Sequence, residues 1–209
     1  MNKGLFIAFE GVDACGKSTQ IKNLQKYIDE EYYYLFNKVS VGCEPTDKES
    51  GKFIRRVLSK EINIENVDVI SGMFLSDRAL HQEEILESID LLNDVYICDR
   101  YMYSNVVYNS KSLEDMNYIE SLNSSFIKPD LCFYIDTNIN TCIKRINNRN
   151  HKDIFENYEF LYDVKQKYDI LCSQGKLIKI DGNQSEYGVF QSIKCHVDSY
   201  IKENYSIKL

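Results

Sequence analysis

Gly11-Val12-Asp13-Ala14-Cys15-Gly16-Lys17-Ser18 is a stretch whose spacing can do chemistry. It meets G-x-x-x-x-G-K-[ST] at every fixed position, the pattern of a loop that cradles phosphates. Glycines let the backbone wrap closely around phosphate oxygens, with its N–H groups turned inward. A helix opening at the end of the loop adds unpaired N–H groups and a positive dipole end. Lys17 has the reach for the outer phosphates, and Ser18 offers a hydroxyl to Mg²⁺. Residues Gly11 to Thr19 are therefore expected to bind a nucleoside triphosphate with magnesium.

A second signal is Val95-Tyr96-Ile97-Cys98-Asp99, a hydrophobic strand ending in a carboxylate, as in a Walker B element. Mg²⁺ takes a carboxylate, phosphates and several waters, so Asp99 is the candidate to hold the ion through water. Alone, such an Asp often just caps the next helix. Phe74 and Arg78 lie one helical turn apart. They could stack on a base and bond its edge, but spacing alone favours a core Phe and a surface Arg. The chain has six arginines, Arg55, Arg56, Arg78, Arg100, Arg145 and Arg149, and otherwise relies on lysine. Arginine offers a planar fork for phosphate that lysine lacks. Biased codon usage accounts for their scarcity, though not for their placement.

Apolar runs at 5–9, 95–98, 131–135 and 177–180, with a weaker one at 38–41, read as strands buried on both faces. Helical spacing marks 18–33, 49–59, 67–92, 112–124, 139–148, 159–172 and 186–204. Strands alternating with helices predict an α/β fold, a five-stranded parallel sheet with right-handed crossovers. Such sheets hold ligands at the carboxyl ends of their strands. There the chain offers the phosphate loop, Glu44-Pro45-Thr46, Asp99-Arg100-Tyr101 and Asp136-Thr137. The polar stretch 145–158 is the candidate mobile element.

The 209 residues suit one domain, 1–209. A net charge of −7 argues against broad nucleic-acid binding but not against nucleotide binding. No apolar stretch approaches the roughly 20 residues that span a bilayer. Met1-Asn2-Lys3 runs directly into the first strand, so no signal peptide is expected and a cytoplasmic protein is. None of the seven cysteines forms a C-x-x-C pair. Cys98 and Cys132 read as small buried hydrophobes. Cys15 reads as a tolerated small residue more than as a reactive thiol.

Together these residues resemble the thymidylate kinases, which phosphorylate dTMP with ATP. The resemblance runs through Phe9-Glu10-Gly11-Val12-Asp13, Gly16-Lys17-Ser18-Thr19-Gln20, Glu44-Pro45 with Gly51 and Arg55, and Phe74-Leu75-Ser76-Asp77-Arg78-Ala79 with His81. It continues through Asp99-Arg100-Tyr101, Ser104, Tyr108, Lys128-Pro129-Asp130, Arg145, Arg149, Asp153 and Glu156. It implies a P-loop kinase fold, dTMP as substrate, ATP and Mg²⁺ as cofactors, and a homodimer formed around the helices of 49–92. It also implies roles. Asp13 would bond the sugar 3′-hydroxyl, Phe74 stack on thymine and Arg78 bond its edge. Arg55 and Arg100 would bind the dTMP phosphate, Ser104 would lie near the base, Glu44 would belong to the same substrate site, and Tyr108 would pack under the sugar where a 2′-hydroxyl would project. Residues 145–158 would form a lid over ATP.

One branch of the family carries an arginine in the phosphate loop, where this chain has Ala14-Cys15. The transition-state arginine is then expected from the lid, Arg149 first and Arg145 second. Cys43 stands where many relatives have arginine before Glu-Pro, and Asn105 and Asn109 replace commoner residues. The competing readings are a kinase for another deoxynucleotide or deoxynucleoside, and a slow ATP-dependent switch with no acceptor site.

Overall fold

In the computed structural model, which describes residues 4–148 and 158–205, the apolar runs become five parallel strands. These are β1 (Leu5–Glu10), β2 (Val39–Cys43), β3 (Val95–Asp99), β4 (Leu131–Asp136) and β5 (Ile178–Asp181), in the order β2-β3-β1-β4-β5. Every residue of β1 is buried, as a continuous apolar run demands when helices cover both faces. Phe9 pairs with both Asp99 and Phe133, and Cys43 with Asp99. The carboxyl ends of the central strands are thus level. The chain leaves β1 for β2 on one side and reaches β4 on the other, which opens a crevice beyond β1.

Eight α-helices are described: α1 (Lys17–Glu31), α2 (Glu49–Leu58), α3 (Val67–Leu86), α4 (Met102–Asn109), α5 (Leu113–Leu122), α6 (Ile139–Asn147), α7 (Tyr158–Ser173) and α8 (Glu186–Asn204). Asn66, Ser112, Asn138 and Ser185 cap α3, α5, α6 and α8 by accepting from N–H groups of the first turn.

Two differences from the sequence expectation have physical causes. The helix expected over 67–92 widens into a π-helical turn, Glu87–Leu91, where β1 begins. Gly4 N–H donates to the Ile89 carbonyl at 2.7 Å, and a Cβ on Gly4 would lie 2.7 Å from Ile89 Cα. Helix α4 was not expected at all. Met102 to Val107 are buried on every side, so no polar face marks its period.

Candidate active site

The loop after β1 takes left-handed backbone at Gly11 (φ 144°), Ala14 (φ 59°) and Gly16 (φ 113°). At Gly11 a side chain is excluded twice, by that φ and by Cys15 Sγ, which would lie 2.8 Å from its Cβ. Val12 and Cys15 point into the core. Cys15 thus packs behind the loop, as the small-residue reading expects. Thr137 Oγ1 donates to the Cys15 carbonyl at 2.8 Å, and Arg145 Nη1 donates to the Ala14 carbonyl at 3.0 Å. With its carbonyls held from behind, the loop faces the crevice. Lys17 Nζ rests 3.3 Å and 3.4 Å from the carbonyls of Gly11 and Val12 and 3.8 Å from Asp99. Ser18 and Thr19 are exposed at the start of α1.

Arg100 stands opposite, just after β3, in left-handed backbone (φ 68°) unusual for a non-glycine residue. Its Nη2 donates to Asp13 at 2.8 Å and to the Tyr108 hydroxyl at 3.3 Å, and its Nη1 donates to Ser104 Oγ at 3.0 Å. Burial works against its charge, but Tyr108 and Asp13 outweigh burial and keep Arg100 firmly cationic. Behind it lies Glu10, fully buried. Glu10 accepts from the N–H groups of Tyr101 and Ser104, from Ser104 Oγ at 2.5 Å and from Tyr168 Oη at 2.9 Å. Burial pushes the Glu10 carboxyl up, while Ser104 and the Arg100 charge pull it back. This carboxylate caps α4 at its N-terminus. Buried Lys167 donates to the Val107 and Ser110 carbonyls at its other end. Both charges match the helix dipole, so eight residues form a fixed platform for Ser104 and Tyr108.

The third wall comes from α2 and α3. Arg55 donates to the Thr46 carbonyl and to Asp47 at 2.6 Å. Asp77, fully buried, takes Thr46 N–H at 2.8 Å, Thr46 Oγ1 at 2.6 Å and Ser50 Oγ at 2.5 Å, which ties the loop after β2 to α3. Phe74 is half-buried and lines the crevice. Arg78 is wholly buried and bonded to Glu44 and Asn123. The expectation of a core Phe and a surface Arg is reversed. Arg78 has a carboxylate and an amide waiting inside, so its burial is compensated.

The resulting crevice holds about 380 Å³. Its walls include Asp13, Ala14, Gly16, Lys17, Ser18 and Thr19 of the phosphate loop, together with Glu44, Arg55, Phe74, Asp99, Arg100, Ser104 and Tyr108. A sequence model described as Thymidylate kinase matches residues 9–193, which takes in every wall of this crevice. The chain belongs to the thymidylate kinase family.

A probable thymidylate kinase of Methanocaldococcus jannaschii is 38% identical over 181 residues, 87% of this chain and 88% of that protein. A thymidylate kinase of Leptospira interrogans is 33% identical over 192 residues, 90% of this chain and 91% of the other. The solved thymidylate kinase of Candida albicans superposes with a TM-score of 0.77 at 20% identity, over 98% of this chain and 94% of that one, a likeness of fold. Thymidylate kinase membership makes the chain a phosphotransferase, one that uses ATP to phosphorylate dTMP.

For this thymidylate kinase sequence, the residues expected to hold a metal lie together. Ser18 Oγ is 3.2 Å from Asp99 Oδ2, and Asp99 Oδ1 is buried without a hydrogen-bond partner. Both are hard oxygen donors and fit a magnesium ion. Among the described residues no three His, Cys, Asp or Glu make a metal cage, so the rest of such an ion's shell would be phosphate oxygens or water. Arg149, and most of the stretch 145–158, lie outside the described residues. Sequence reasoning gave no role to Glu10, Asp77, Asn123, Thr137 or Lys167. Glu10 and Asp77 stood in the quoted motifs; Asn123 and Lys167 carry no local signal. No described helix is long and apolar enough to cross a membrane.

Proposed function

We propose that the crevice binds ATP at the phosphate loop and dTMP against Arg100, and transfers the γ-phosphoryl group between them to give dTDP. The supporting observation is that two cationic centres, Lys17 at the start of α1 and Arg100 just after β3, line one crevice, with Asp13 in the same wall 2.8 Å from Arg100. The acceptor is an anionic phosphate oxygen, so the protein's task is to align two phosphates and spread the developing charge. Gly11 to Thr19 bind the donor phosphates, and Lys17 follows the transferring group. Arg55 and Arg100 hold the acceptor phosphate. Asp13 takes the 3′-hydroxyl, Phe74 stacks on the base, Arg78 bonds its edge, and Tyr108 fills the space a 2′-hydroxyl would need. Glu44 orders Arg78, and Ser104 orders Arg100. Ser18 and Asp99 would hold Mg²⁺, which would supply positive charge against the phosphates. The enzyme works in the cytoplasm as a single-domain homodimer. The free state of all seven cysteines and the exposed apolar side chains Phe53, Val69 and Leu80 on α2 and α3 support this.

The test is phosphoryl transfer from ATP–Mg²⁺ to a panel of nucleoside monophosphates and nucleosides, with ADP and phosphorylated product read separately. Strong dTDP formation is expected. ADP without a phosphorylated acceptor would point to a switch, and another preferred acceptor would overturn the base-site roles.

Arg149→Ala is expected to lower kcat by roughly 10²-fold with little change in KM for dTMP, the scale of losing one transition-state donor. Arg145→Ala removes the bond to the Ala14 carbonyl and is expected to raise KM for ATP. A kcat loss confined to Arg145→Ala would move the transition-state role one turn back.

A further inference from the structure

Arg100 and Ser104 line the crevice, and the groups that aim them lie behind it. Ser104 has one hydroxyl proton and gives it to Glu10 Oε2 at 2.5 Å. Its lone pairs are then open to Arg100 Nη1, which donates to Oγ at 3.0 Å. That order holds only while Glu10 is purely an acceptor. A proton on its carboxyl would need an acceptor of its own, and Ser104 Oγ is the oxygen at hand. Arg100 would then compete for its partner.

Tyr168, on α7, secures the arrangement from the far side. It is fully buried, its ring stacked on Tyr134 with 4.7 Å between centroids and 16° between planes. A ring held in this way makes its oxygen a fixed point, whereas the Ser104 hydroxyl is a free rotor. Burial and the Glu10 charge push the Tyr168 phenol up, so it keeps its proton. That proton goes to Glu10 Oε2 at 2.9 Å, and Tyr168 Oη lies 3.2 Å from Ser104 Oγ. Two hydroxyls thus share one carboxylate oxygen, while the N–H groups of Tyr101 and Ser104 share the other. Burial pushes the Glu10 carboxyl up, and Ser104, Arg100, Tyr101 and Tyr168 all pull it back.

We propose that Tyr168 is a positioning residue for the acceptor phosphate: from α7, through Glu10 and Ser104, it holds the Arg100 guanidinium in the direction from which it meets that phosphate. The proposal rests on the reading that Arg100 binds the acceptor phosphate. Tyr168 is buried away from the crevice and acts only through these neighbours. Its removal should therefore weaken the grip on the phosphate and spare the grip on base and sugar.

The experiment compares dTMP with thymidine, which has the same base and sugar and no phosphate. Kd for each is measured by titration calorimetry on the parent, Tyr168→Phe, Arg100→Met and their double variant, with melting temperatures in parallel. Tyr168→Phe keeps the stacked ring and loses the donor. It is expected to raise Kd for dTMP about fivefold, the scale of one hydrogen bond, and to leave Kd for thymidine within about twofold. Kd for ATP should hold. Tyr205→Phe is the control, because it deletes another buried phenol hydroxyl, one that donates to the Gly4 carbonyl at 3.1 Å. It should lower the melting temperature and leave the dTMP-over-thymidine ratio unchanged. Arg100→Met should lower that ratio about tenfold or more, the scale of a charged donor, and Tyr168→Phe should add little in its background. If Arg100→Met leaves the ratio unchanged, the reading beneath the proposal fails. If Arg100→Met lowers the ratio and Tyr168→Phe lowers only the melting temperature, or weakens both ligands alike, the positioning role is overturned and that reading stands. Should Tyr168→Phe not fold, Ser104→Ala decides, since it cuts the path between Glu10 and Arg100. A ratio lowered about fivefold there supports the path, and an unchanged ratio overturns the proposal.

Discussion

Lys17→Ala is expected to lower kcat by about 10³-fold at saturating ATP and dTMP, the scale of losing a charged donor to a transferring phosphoryl group. The geometry explains why the loss falls on the rate. The ammonium group lies over the Gly11 and Val12 carbonyls at 3.3 Å and 3.4 Å, contacts weak enough to release it. Its 3.8 Å separation from Asp99 balances its charge without locking it. When phosphates enter the loop, a flexible chain with three donors can follow the moving group. The loop backbone is held by Gly11, Gly16, Thr137 and Arg145, so its N–H groups survive the substitution. ATP binding should weaken modestly, and the melting temperature should change little. Turnover within tenfold of the parent would remove Lys17 from the transfer step.

Glu10→Ala is expected to cost the fold about 3–5 kcal/mol, because four buried donors lose their acceptor and each unpaired group costs about 1–3 kcal/mol before water or rearrangement recovers part of it. For a chain of this length that is a fall of roughly 10–15 °C in Tm. The donors are the N–H groups of Tyr101 and Ser104 and the hydroxyls of Ser104 and Tyr168. Together they tie β1, α4 and α7. Arg100 would also lose its oriented partner Ser104, so activity should fall further than stability alone accounts for. Glu10→Gln keeps the shape and one acceptor oxygen, and should lose about half as much. Urea unfolding followed by circular dichroism measures both. A Glu10→Ala variant as stable as the parent would show that the donors find other acceptors.

Much of this architecture was legible in the chain. The continuous apolar runs of β1, β3 and β4 read as strands covered on both faces, and the helical spacing of 112–124 and 186–204 falls on α5 and α8. Local periodicity failed at α4 because a helix buried all round has no polar face to betray it. It failed again at the end of α3, where contact with Gly4 reshapes the last turns into a π-helix.

By itself, the sequence determined the phosphate loop, the carboxylate after β3, the parallel α/β fold and the kinase family, because each is written in neighbouring residues or in a repeating period. Tertiary structure alone decided which side of α3 is inside. Arg78 is buried and Phe74 faces the crevice because Glu44, from the loop after β2, and Asn123, at the end of α5, meet the guanidinium in the interior. It also decided that Glu10 organises Arg100 from behind and that Lys167 caps α4. Those partners stand 34 to 94 residues apart along the chain. A hydrogen bond across such a span leaves no pattern in local spacing; it exists once the sheet has brought the strand ends level.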